Sequence, residues 1–169
     1  MAAPVAVALA VGSNLGDREA HLAFARSSLQ EVLRKIQSSS IHQTAAVGTP
    51  DPQPDFLNGA ITGETLLEPQ DLIEVILSIE HARGRERPFP CAARTLDLDL
   101  ILFGAEIISE VGLTVPHPRF RDRDFVLRPL AEIAPDWLDP VTGLTVAQLL
   151  QRLQRAEAAS DSSASPERR

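Results

Sequence analysis

Ala93-Arg94-Thr95-Leu96-Asp97-Leu98-Asp99-Leu100-Ile101-Leu102-Phe103-Gly104 is the stretch that decides the fold. Strand side chains alternate between faces, so Leu96, Leu98 and Leu100 line one side while Asp97 and Asp99 share the other, about 6.6 Å apart along the strand. Aspartate is disfavoured in strands, and neighbouring like charges on one face repel, so the pair calls for a neutralising partner. Two readings follow. The carboxylates lie on a solvent face with Arg94 compensating one of them, or they hold a hard divalent cation. Magnesium typically takes one or two carboxylates and completes its shell with phosphate oxygens and water.

Upstream of this strand, Val5 to Val11 is a short apolar run that ends in Gly12-Ser13-Asn14, which predicts a buried strand opening into a loop. Leu22, Ala25, Leu29, Leu33 and Ile36 recur at helical spacing and predict a helix from Asp17 to about Ile36, capped by Asn14 or Asp17. Gly12 and Gly16 are not followed by Lys-Ser/Thr, so this is no phosphate-binding P-loop. Ser38–Val47 and Phe56–Thr65 read as the second and third strands, separated by a proline-rich loop, Gly48 to Asp55. A second helix runs from Pro69 through Leu72, Ile73, Ile76 and Ile79 towards Gly84. A second proline-containing loop, Gly84 to Ala93, then leads into the aspartate strand.

Downstream, Gly104-Ala105-Glu106 is expected to turn that strand into Ile107-Ile108. A short helix is expected around Val126–Ile133, and a last one from Thr145 with Val146, Leu149, Leu150 and Leu153 on one face. The order β-α-β-β-α-β predicts an α+β fold of the ferredoxin-like kind, a mainly antiparallel sheet with packed helices. Residues 1–158 read as a single domain and 159–169 as a disordered serine-rich tail.

The whole chain has 169 residues, 44% apolar and 23% charged, values of an ordinary globular domain that exclude disordered, collagen-like and coiled-coil classes. The run Val5–Val11 is far short of the roughly 20 residues a bilayer demands, so no membrane association is expected. A single cysteine, Cys91, excludes an internal disulfide, and the chain reads as cytoplasmic. The net charge of −7 argues against nucleic-acid binding. Half of the basic residues nevertheless fall between Arg83 and Arg128, and all of those are arginine, whose planar forks suit a small anionic ligand. Arg85, Arg87, Arg94, Arg121 and Arg123 together with a carboxylate-held metal would make a polyphosphate site. Phe56 and Phe125 follow the loops and could stack on a planar ring or pack in the core, and Asn58, two residues after Phe56, could read an amide-like edge. His117 lies between prolines. His21, His42 and His81 carry no partner pattern.

The aspartate strand resembles the signature of the hydroxymethyl-dihydropterin pyrophosphokinase family of the folate pathway. Further matching stretches are Val11-Gly-Ser-Asn-Leu15, Pro54-Asp-Phe-Leu-Asn58, Ile79-Glu80, Leu113-Thr-Val-Pro-His117, Arg123, Phe125 and Pro129-Leu130. The resemblance implies transfer of pyrophosphate from ATP to the hydroxymethyl oxygen of 6-hydroxymethyl-7,8-dihydropterin, leaving AMP. It implies that Asp97 and Asp99 hold two magnesium ions and that Arg85, Arg87, Arg94 and Arg123 contact phosphates. Glu80, Leu100, Thr114 and His117 would belong to the ATP site with Arg94 and Arg123. Phe56 and Phe125 would sandwich the pterin, whose polar edge Thr44, Asn58 and the backbone near Val47 would read. The loops at 45–55 and 84–93 would act as lids, and a monomer is expected. This sequence departs from common family usage at Phe56 (often tyrosine), Leu77 (often glutamine) and Pro118 (often tyrosine), and in a shorter loop at Pro88–Cys91.

Overall fold

The computed structural model describes residues 3–45, 53–84 and 95–164. Its central sheet has the order β2-β4-β1-β5, built from β1 (Val5–Ser13), β2 (Arg34–Ser38), β4 (Phe56–Thr65) and β5 (Asp97–Phe103), with the short β3 (His42–Thr44) also paired to β4. Every pairing in it is antiparallel. With α1 (Arg18–Leu29) after β1 and α2 (Pro69–Ala82) after β4, this is the ferredoxin-like arrangement that the sequence predicts. No helix among the described residues is long and apolar enough to cross a membrane.

Alternation along the strands sorts the side chains into two cores. Val7, Leu9 and Val11 of β1 and Leu98 and Leu100 of β5 pack with Leu22 and Leu29 of α1 and Leu72, Ile76 and Ile79 of α2. The opposite face is covered in part by α3 (Asp124–Ile133) and α4 (Val146–Ala164), which bury Ala8, Ala60, Ile101 and Leu102 beneath Val126, Leu127, Leu130 and Leu149. Local signals fix several ends. Asp17 caps α1 by accepting the Ala20 N–H at 3.1 Å, and Gly84, at φ 74°, follows the end of α2 in the left-handed conformation glycine tolerates.

The structure corrects four readings of the sequence. The first helix stops at Leu29, and Leu33 and Ile36 reach the same core from a turn and from β2. Lys35, at φ 54°, sits where β2 shifts register against β4, and Gly63 has no Cβ to strike the Arg34 carbonyl, which would lie 3.1 Å from it. A spacing of three and four residues is satisfied equally by this helix–turn–strand corner. The second strand is broken into β2 and β3 because Ser39 uses both its backbone N–H and its side-chain oxygen on Ala60, at 2.9 and 2.8 Å. Ile107-Ile108 does not pair with β5; instead β6 (Ile108–Glu110) and β7 (Leu113–Val115) form a separate ribbon, while the Gly104 N–H bonds Ala6 O at 2.7 Å. Finally, residues 159–164, assigned by composition to a disordered tail, continue α4.

One buried charge ties the second layer together. Asp139 is fully buried and takes Arg121 in a two-pronged bond at 2.5 and 2.9 Å, along with Thr142 Oγ1 at 2.7 Å and the Val141 N–H at 3.0 Å. Burial alone would raise its pKa, but these donors outweigh it and bring the group down to about 2 from an ordinary 3.8. Its contribution is therefore complete above about pH 4 and is lost as the pH falls through about 2. Asp139→Ala leaves the guanidinium of Arg121 without its partner and is expected to cost about 3 kcal/mol at pH 7, read from chemical denaturation. The deficit should shrink at pH 2, and an equal deficit at both pH values would contradict this account.

Candidate active site

A single cross-sheet row carries the polar centre. Asn58 of β4, Gly12 of β1 and Asp97 of β5 stand in register, and the next row holds Ala60, Ala10 and Asp99. Residues in one row share a face, so Asn58 and the two carboxylates face the α3 side, roughly 10 Å apart across two strand spacings. Between them lies Gly12. A Cβ there would meet Asn58 Oδ1 at 3.0 Å and Phe56 Cδ1 at 3.8 Å, so the missing side chain leaves a floor between the amide and the acids. Leu98 and Leu100 point the opposite way into the α1/α2 core, so Leu100 offers a ligand no side chain.

β5 is held on both edges. β1 pairs along one, and on the other the buried carboxylate of Glu80, on α2, accepts the Leu98 N–H at 3.0 Å. Glu80, which the resemblance puts in the ATP site, thus braces the strand segment that bears both aspartates. Past Leu100 the β1–β5 register shifts, and Ile101 O accepts the His117 N–H at 2.9 Å. This irregularity docks the His117 loop beside the carboxylates, a placement in which bulges commonly re-aim active-site groups. His117 Nδ1 accepts the Arg119 N–H at 3.1 Å, so the neutral ring carries its proton on Nε2. Its pKa lies below the ordinary 6.5, chiefly through burial and then through the cation of Arg123; Asp97 pulls the other way and Arg119 adds to the lowering. Thr114 is exposed on β7.

On the other flank Phe56 is half-buried and Phe125, in the first turn of α3, is exposed. The Arg123 guanidinium lies 5.6 Å from the Phe125 ring centroid. Asn58 is buried and donates through Nδ2 to Thr44 Oγ1 at 2.7 Å. The Thr44 hydroxyl hydrogen is thereby turned elsewhere, leaving that hydroxyl as a donor and Asn58 Oδ1 as an acceptor for a ligand edge.

The structure thus brings together Thr44, Phe56, Asn58, Asp97, Asp99, His117, Arg123 and Phe125. It withdraws Arg121 from the expected phosphate cluster, since that arginine is committed to Asp139. Arg85, Arg87, Arg94, Val47 and most of both expected lids lie outside the described residues. Ser13, which had no assigned role, and Asn14, considered as a cap for α1 that Asp17 in fact supplies, act as latches. The Ser13 hydroxyl donates to Thr95 O, fixing the entry to β5, and Asn14 Nδ2 bonds Gln53 Oε1 at 2.9 Å and Pro54 O at 3.3 Å. Their only sequence signal is a polar Gly-Ser-Asn turn directly after a buried strand.

Residues 8–135 match the sequence profile of the 7,8-dihydro-6-hydroxymethylpterin-pyrophosphokinase (HPPK) family. The chain belongs to this family. A Synechocystis protein named 2-amino-4-hydroxy-6-hydroxymethyldihydropteridine pyrophosphokinase is 41% identical over 145 residues, covering 85% of this chain and 73% of the relative. A Bacillus subtilis protein of the same name is 45% identical over 127 residues, 74% of this chain and 75% of the relative. Among solved structures, a Plasmodium falciparum HPPK-DHPS A437G chain with STZ-DHP superposes with a TM-score of 0.76 at 13% identity, covering 94% of this chain. This chain spans 47% of that longer protein, and the likeness speaks for the fold.

The His117 environment gives a direct test. Its imidazole should titrate below 6.5 by proton NMR. Arg123→Ala should move the midpoint up and Asp97→Asn should move it further down; no movement in either variant would separate His117 from both groups.

Proposed function

We propose that the chain transfers pyrophosphate from ATP to the hydroxymethyl oxygen of 6-hydroxymethyl-7,8-dihydropterin in folate biosynthesis, releasing AMP. The observation that carries this reading is the single row Asn58–Gly12–Asp97, which sets an amide reader and a carboxylate pair on one sheet face with an open floor between them. In the transfer, the substrate oxygen forms a bond to the β-phosphorus, the bond from that phosphorus to the bridging oxygen of AMP breaks, and the hydroxyl proton is released.

The donor chemistry of the site fits magnesium. Two carboxylates at alternate positions on one strand face suit a hard cation whose shell is completed by phosphate oxygens and water. Asp97 and Asp99 would hold two such ions. When bound, magnesium supplies charge neutralisation along the triphosphate and at the leaving AMP.

The chain's own groups position the reactants. Phe56 and Phe125 clasp the pterin ring, while Thr44 donates and Asn58 Oδ1 accepts at its polar edge, assisted by the backbone at Val47. Arg123, already stacked near Phe125, reaches the nucleotide at the boundary between the two substrates. Neutral His117 offers Nε2–H to the nucleotide, with Thr114 three positions upstream on β7. Arg85, Arg87 and Arg94 complete the phosphate contacts. Glu80 and Leu100 act through the strand: one braces it and the other anchors it. The proposal extends to a monomeric, cytoplasmic enzyme.

Asp97→Asn and Asp99→Asn should leave the circular dichroism spectrum and melting temperature near those of the parent while lowering kcat by about a hundredfold or more. AMP release should depend on added pterin, as followed by chromatography; steady AMP or ADP production without it would assign hydrolysis instead.

A further inference from the structure

Outside the row of ligand-facing groups, α3 is tied to the sheet by one carboxylate. Glu132 accepts the Ser40 N–H at 2.8 Å, the Ser40 hydroxyl at 2.7 and 3.0 Å, and His42 Nε2 at 2.5 Å. Ser40 lies in the break between β2 and β3, and His42 opens β3. β3 has only the three residues His42–Thr44 and pairs with β4 alone, at His42↔Asn58, Gln43↔Leu57 and Thr44↔Phe56. So short an edge strand has little ladder of its own to fix it. It nevertheless carries Thr44, whose hydroxyl orients Asn58.

The other end of the same helix carries Phe125. Glu132 is seven positions after Phe125, two helical turns, so both lie on one stripe of α3, about 10 Å apart along its axis. α3 packs across β4 and touches β3, the strands that carry Phe56, Asn58 and Thr44. The bonds at Glu132 therefore set the helix bearing one aromatic wall against the strand that supports the other wall and the polar reader. Their geometry is dense: one carboxylate holds a backbone donor, a hydroxyl and a ring nitrogen. These bonds keep Glu132 ionised, with the Ser40 donors first and His42 next drawing its pKa to about 2 from 4.5.

We propose that Glu132, acting through Ser40 and His42, is a positioning residue that sets the spacing of the Phe56–Phe125 slot and the aim of Thr44 and Asn58, and so governs affinity for the flat heterocyclic substrate. The inference rests on the pterin reading given above. Glu132 bonds Ser40 and His42 and lies outside the row of ligand-facing groups. Its effect should therefore fall on the pterin side alone and leave the nucleotide side, held by β5 and the His117 loop, unmoved.

The experiment measures binding of 6-hydroxymethyl-7,8-dihydropterin by titration calorimetry with a non-hydrolysable ATP analogue and magnesium present, and binding of the analogue separately. It compares the parent chain with Glu132→Ala and Ser40→Ala. The expected result is a loss of pterin affinity of about tenfold in Glu132→Ala and about threefold in Ser40→Ala, with nucleotide affinity within about twofold of the parent. In turnover, KM for the pterin should rise with KM for ATP unchanged. Glu132→Gln, which can still accept from Ser40, should recover part of the loss. Ser40 is exposed, so Ser40→Ala keeps the test decisive even where Glu132→Ala fails to fold. Equal weakening of both ligands, or unchanged pterin affinity in a folded variant, overturns the positioning role. Absence of pterin binding by the parent chain overturns the substrate reading instead.

Discussion

Asp97 and Asp99 repel one another, and the strand that presents them must stay rigid despite that repulsion. An isolated edge strand with two acids on one face would have every reason to twist away or fray. β5 escapes this because its three apolar neighbours, Leu96, Leu98 and Leu100, are anchored in the α1/α2 core, and because Glu80 accepts the outward Leu98 N–H from the side that β1 does not cover. A buried carboxylate is costly unless its hydrogen bonds are made. Here its backbone contact fixes the strand directly between the two half-buried acids, so core packing and site geometry are set by the same stretch of β5.

The same sheet face changes character within a few residues. Ala8, Ala60 and Ile101 lie under α3 and α4, whereas Gly12, Asn58 and Asp97 lie beyond them. The small side chains of β1 on this face, Ala8, Ala10 and then Gly12, make the transition possible. The helices can approach closely over the alanines, and a ligand can enter over the glycine. Ser13 and Asn14, immediately after it, fasten the entry to β5 and the far end of the proline-rich loop. One short turn thus ties the entry of β5 to the end of the proline-rich loop.

How much of this was legible follows from which forces were local. The alternation from Leu96 to Leu100 needs only the strand period, so the face of the two acids could be read directly, and Pro69 and Gly84 bracketed α2 by local backbone preference. The C-terminal limit of α1 could not be read, because Leu33 and Ile36 reach the same core from a turn and a strand as they would from a helix. The break at Ser39 depends on a side chain standing in for a backbone partner across the sheet, and nothing in the local sequence encodes that. Arg121 and Arg123 are two residues apart and chemically identical, yet one is bound to Asp139 and the other lies near the Phe125 ring. Charge clustering recognises a set of arginines; only the fold assigns each to structure or to ligand. His42 gave no signal for the same reason, since its partner Glu132 is distant in sequence.

The electrostatic plan divides by function across pH. The two carboxylates that hold structure, Asp139 and Glu132, are drawn to about 2 by their donors, so both are ionised through the whole mildly acidic range. Each stabilises the fold above the ordinary carboxylate pKa, and that stabilisation drains away only as the pH falls towards about 2. His117 is shifted downward as well, with opposite consequence for charge: the ring is neutral at pH 7 and adds nothing to the cationic arginines around it. Anchors stay charged and the loop histidine stays uncharged under the same conditions. Under the proposed function, Arg123 and the acid pair supply the charge beside the nucleotide, while His117 contributes direction through a single N–H.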